Sequence, residues 1–133
     1  MTIKIFTIIK AMDYEYSVIG SISGNADTLR TIADTEFTYK NYVFVIRKIG
    51  EHVGISLRDT HSAGESDCKN ISEKDVTDVC KILSEKYACT VSMRKGYEVY
   101  GNANVFNGGS DYEVIEEKWF SVEFDNGVAR NLP

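Results

Sequence analysis

A chain of 133 residues, 43% hydrophobic and 26% charged, has the size and composition of one globular domain and falls outside the disordered and fibrous classes. Acidic residues outnumber basic ones by 20 to 15, for a net charge of −5, so the chain lacks the basic balance by which nucleic-acid binders neutralise phosphates. The longest apolar run, Ile3 to Ile9, is interrupted by Lys4 and Thr7 and is far shorter than the roughly 20 residues of a membrane helix. It also lacks the small-residue cleavage pattern of a secretory signal. The expectation is a cytoplasmic protein with no membrane segment. Cys68, Cys80 and Cys89 are an odd set without C-x-x-C spacing, which indicates reduced thiols rather than a disulfide framework or a zinc site. Cys80 and Cys89 stand where small apolar packing residues also fit.

In chain order, residues 2–10 (TIKIFTIIK) and 13–23 (DYEYSVIGSIS) alternate apolar and polar positions and predict a pair of strands. Asn25 offers an N-cap to a helix over about 26–36, in which Leu29, Ile32, Ala33 and Phe37 recur at three- and four-residue spacing. YVFVIRKI and HVGISLR then flank Gly50-Glu51, a strong hairpin signal. After a polar stretch, Ser72 with Asp75 resembles a capping box, and Val76, Val79, Cys80, Leu83 and Tyr87 keep helical spacing through about residue 86. ACTVSMR and YEVYG return to alternation with Cys89, Val91 and Met93 on one face. KWFSVEF sets Phe120, Val122 and Phe124 against Trp119 and Ser121, ahead of a turn at Asp125-Asn126-Gly127.

The sum is one α+β domain spanning 1–133, with a mainly antiparallel sheet and two helices. The order from residue 14 to 94 matches a split βαβ, or ferredoxin-like, core with extra strands at both termini.

Two regions compete for function. The stretch 58–68, RDTHSAGESDC, holds the ingredients of a small hydrolase or transferase: His61 as a general base oriented by Asp59 or Glu65, with Cys68 or Ser62 as nucleophile. Their spacing establishes no triad, and no nucleophile elbow, zinc helix or phosphate loop surrounds them. The same residue types suit a polar connection from a hairpin to a capped helix. No metal or cofactor is expected: His52 has no ligand spacing around it, Asn107-Gly108-Gly109-Ser110 has no lysine or helix after it, and the acids from Asp111 onward lack the calcium-loop pattern.

The charge is uneven. Residues 110–133 hold two basic and six acidic groups, so most of the negative balance lies there. Asp111, Tyr112, Glu113, Glu116, Glu117 and Trp119 form an acidic stretch interleaved with aromatics, a composition suited to a positively charged protein partner. The expectation is a non-catalytic interaction module of inhibitor, immunity or phage counter-defence type, without direct nucleic-acid binding. The alternatives are a small-molecule-binding regulatory domain and an enzyme built on the 58–68 stretch.

Overall fold

A computed structural model describes residues 13–59, 66–102 and 112–130. The strand expected over 2–10 lies outside them. The elements in order are β1 (Asp13–Ser23), α1 (Ala26–Ile32), β2 (Thr35–Tyr39), β3 (Tyr42–Ile49), β4 (His52–Leu57), α2 (Asp67–Asn70), α3 (Glu73–Tyr87), β5 (Thr90–Asn102), β6 (Tyr112–Asp125) and β7 (Val128–Ala129). The strands form one seven-stranded sheet in the order β2-β3-β4-β1-β5-β6-β7, antiparallel at every step. The fold is α+β, with more strands and one more helix among the described residues than the sequence pattern predicts.

Local chemistry accounts for most boundaries. Gly50 turns the β3–β4 hairpin at a φ of 62°, a conformation that glycine adopts without penalty. Ser72 caps α3 by accepting a hydrogen bond from the Asp75 amide at 3.0 Å, and Ala88 closes it in the left-handed conformation. Asn126 and Gly127, with φ of 46° and 82°, turn β6 into β7.

The helix expected to reach residue 36 stops at Ile32. Asp34 adopts a φ of 61°, and TEFTY, rich in β-branched and aromatic residues, runs on as β2. Phe37 therefore packs from a strand, opposite Phe44, and not from a helix.

That extra strand changes the topology. β4, α3 and β5 make one split βαβ unit around β1, because β4 and β5 each pair antiparallel with β1 and so run parallel to one another. The first connection is different. At seven residues, α1 is only about 10 Å long, so it stays at one end of the sheet and β2 carries the chain back. The second helical crossover of a ferredoxin-like core is not formed, and that assignment is not supported.

The core lies between α3 and one sheet face. Val76, Val79, Cys80 and Leu83 are fully buried on α3. They share a cluster with Val18 and Ile22 of β1, Phe44 and Ile46 of β3, Val91 and Met93 of β5, and Val122 and Phe124 of β6. Cys68 of α2, Ile71 and Ile32 of α1 join the same cluster, so among the described residues the three helices cover one face and none covers the other, a solution available to antiparallel sheets. The ion pair from Lys40 to the nearly buried Asp75 carboxylate, 2.9 Å, ties the β2–β3 turn to the start of α3.

Candidate functional site

The open face is built from the polar phase of each strand. Because side chains alternate, β1 presents Glu15, Ser17, Ile19 and Ser21 there, β5 presents Ser92, Arg94, Gly96 and Glu98, and β6 presents Glu117, Trp119, Ser121 and Glu123. Register aligns these into rows. Glu15 pairs with Glu98, and Glu98 pairs with Glu117, so three carboxylates stand abreast on adjacent strands. Paired side chains sit about 5 Å apart at Cβ, and like charges so opposed are destabilising. Tyr100, on the same side, donates to Glu98 across 3.4 Å. Its phenol is pushed above its ordinary pKa by desolvation first, and then by Glu98 and Glu15.

The next rows hold the aromatic feature. Gly96 pairs with Trp119, and Arg94 pairs with Ser121. A Cβ on Gly96 would meet the Lys118 carbonyl at 1.9 Å and the Trp119 ring at 2.8 Å, so the close approach of β6 requires glycine there. The Arg94 guanidinium stacks over the Trp119 ring at 4.2 Å, a cation–π geometry. Around this pair Ser17, Ser21, Ser92 and Ser121 keep the face low, Ile19 beside Arg94 stands above it, and Gly54 and Ser56 of β4 lie beyond.

The acidic stretch expected to act as one ribbon is divided by this alternation. Glu117 and Trp119 lie on the open face, whereas Glu116, opposite Val99, lies on the helix-bearing face near Tyr97, whose pKa is raised by desolvation first and then by Glu116. Tyr112 and Glu113 belong to β6 and pair with Asn102 and Gly101. Asp111 lies outside the described residues. Glu15 and Glu98 had no signal as site residues, because each sits singly between apolar neighbours in an alternating strand and only non-local pairing joins them.

In the 58–68 stretch, the described residues form a helix entry. Asp59 accepts from the Ser66 hydroxyl at 2.8 Å and from the Asp67 amide at 2.7 Å, while Ser66 accepts from the Lys69 amide at 3.3 Å as the N-cap of α2. Both Asp59 oxygens thus serve capping. Cys68 is 5% exposed, and burial above all, with the nearby Asp59 charge, pushes its thiol up to about 11; at neutral pH it is the unreactive thiol. His61 and Glu65 lie outside the described residues. Among the described residues no group of three or more His, Cys, Asp or Glu side chains is placed to hold a metal ion, and no helix is long and apolar enough to cross a membrane.

No protein-family model, curated protein or solved structure matches the chain.

Proposed function

We propose that this chain is a non-catalytic protein-interaction module, of inhibitor, immunity or counter-defence type, that binds a basic protein surface through the open face of its sheet. The observation that carries this reading is the row Glu15–Glu98–Glu117. Three opposed carboxylates cost the isolated fold stability, and a cationic partner converts that repulsion into attraction. The adjoining Trp119 and Arg94 supply the residue types that dominate interface energetics. The low serine and glycine relief around them lets a partner approach the sheet closely. The field of the row would steer such a partner and fix its orientation.

The test is affinity capture from lysate of the source cell at low and high salt, repeated with Glu117→Lys and Glu116→Lys. A partner lost with salt and with Glu117→Lys but kept with Glu116→Lys, whose side chain is on the other face, supports this surface. Equal retention by both variants sinks it. The competing enzymatic reading is tested by His61→Ala, which leaves biological activity intact if the 58–68 stretch is a connector.

A further inference from the structure

The helix-bearing face carries a second feature, independent of the acidic row. At 13 and 14 residues, β5 and β6 extend over more than 40 Å, whereas the 15 residues of α3 cover only about 22 Å. Past its N-terminus α3 no longer covers the sheet; α2 approaches it there through Lys69, and Val99 on the same face is buried. There Tyr16, Tyr97 and Lys118 form one row across β1, β5 and β6, and Val18, Lys95 and Phe120 form the next. On β5 and β6 two rings and two ammonium groups thus sit diagonally, Tyr97 with Phe120 and Lys95 with Lys118, and Tyr16 extends the aromatic side onto β1. The floor of a cleft of about 320 Å³ is made by these rows, with Glu73 at the start of α3 contributing to its lining.

The rings are already organised. Tyr16 and Tyr97 have centroids 5.7 Å apart, and Tyr14 lies 5.6 Å from Tyr97, within the range of favourable aromatic contact. Lys69 of α2 places its ammonium 5.5 Å from the Tyr16 centroid. Lys95 donates to the Lys69 carbonyl at 3.3 Å, which uses one of its three donors. Among the described residues, Lys69, Lys95 and Lys118 enter no ion pair. Two lysines, Lys95 and Lys118, line the cleft with one carboxylate, Glu73, and Glu116 lies one row away. The lining of this cleft combines ring surface from Tyr16, Tyr97 and Phe120 with the charges of Lys95, Lys118 and Glu73.

We propose that this cleft binds an aryl or heteroaryl phosphate of mononucleotide size, its ring stacked on Tyr97 between Tyr16 and Phe120 and its phosphate held by Lys95 and Lys118. Glu73 accepts a hydrogen bond from a hydroxyl or ring N–H of the ligand. The ring requirement follows from the aromatic floor, and the anion requirement from two lysines that enter no ion pair among the described residues.

The experiment is titration of the whole chain with adenosine monophosphate, phenyl phosphate, adenosine and inorganic phosphate, followed by amide chemical shifts and calorimetry. Saturable binding of either phosphate ester at a Kd of about 1 mM or tighter is expected, with adenosine and inorganic phosphate at least tenfold weaker. Preference for adenosine monophosphate identifies a nucleotide as the source, and preference for phenyl phosphate identifies a phosphorylated aromatic side chain or metabolite. Lys118→Gln, at an exposed position that the fold does not depend on, and Tyr97→Leu each weaken binding tenfold or more, whereas Arg94→Gln on the opposite face does not. Absence of saturable binding by both esters overturns the proposal. So does inorganic phosphate binding as tightly as the esters, or an affinity unchanged in Lys118→Gln.

Discussion

Trp119 fits against Gly96, its partner on the neighbouring strand, so closely that a single added Cβ would lie 2.8 Å from the indole and 1.9 Å from the Lys118 carbonyl. The carbonyl belongs to backbone and cannot swing aside, so the strands themselves must part. Gly96→Ala is expected to destabilise the fold by about 2 kcal/mol or more, in the range of backbone strain and overpacking. Gly54→Ala is the control: its Cβ would meet nothing closer than 3.6 Å, and its effect should stay within about 0.5–1 kcal/mol. Urea midpoints of the two variants decide the matter, and equal midpoints would show that the β5–β6 approach is not tight.

Relief of the acidic row should separate stability from binding. Glu98 stands between Glu15 and Glu117, so Glu98→Gln removes both like-charge contacts at once. Stability at neutral pH and low salt should rise by roughly 0.2 to 1 kcal/mol, and the gain should shrink as salt screens the wild-type repulsion. Binding to the captured partner should weaken in the same variant. A variant that is both more stable and fully able to bind would remove the row from the interface.

The three thiols should be inert in the folded protein. Burial pushes Cys68 up to about 11 and Cys80 up to about 12, and raises Cys89 as well. Cys80 is also directed at the Val91 carbonyl, 3.0 Å away. Reaction with a chromogenic disulfide at pH 8 should be negligible without denaturant and complete in urea. Fast labelling of Cys68 in native buffer would reopen its candidacy as a nucleophile.

Asp78 sets an acid limit on α3. The Lys74 ammonium at 2.8 Å, and then the Tyr39 hydroxyl at 3.1 Å, hold its carboxyl below the ordinary value of 3.8. Desolvation opposes them without winning. Because the folded pKa is lowered, the stabilisation is fully present above the ordinary value and is lost as pH falls through the folded one. Wild type and Asp78→Asn should therefore differ by a constant amount near neutrality and converge only below pH 3.8. The group is close to the surface, so the difference is small and salt-sensitive. Convergence already at pH 6 would contradict the assignment.

What the sequence disclosed was what local chemistry controls. The hairpin around Gly50, the Ser72-capped helix and the opposing faces of Phe120 and Trp119 all follow from turn geometry, capping and alternation. The first helix ran four residues too long because Phe37 satisfies helical spacing and strand alternation alike, and only the left-handed Asp34 separates the two. The acidic stretch was legible as composition but not as a surface. Whether Glu116 and Glu117 act together depends on which face each occupies, and the row through Glu15 and Glu98 depends on pairings between segments far apart in the chain. Neither the cluster of tyrosines and lysines nor the carboxylate row exists in any one segment.

The place of β1 at the middle of the sheet governs how the molecule can be made. Ile19 pairs with Ser56 on one side and with Arg94 on the other, so the strand leaves the ribosome before partners that lie about 40 and 75 residues downstream. Loop closure over such separations slows folding relative to chains whose contacts are local. Until β5 is synthesised, β1 has an unpaired edge carrying Val18 and Ile22. A chain stopped before residue 90 would therefore expose an aggregation-prone strand, and assembly of the sheet is committed only when its fifth described strand arrives.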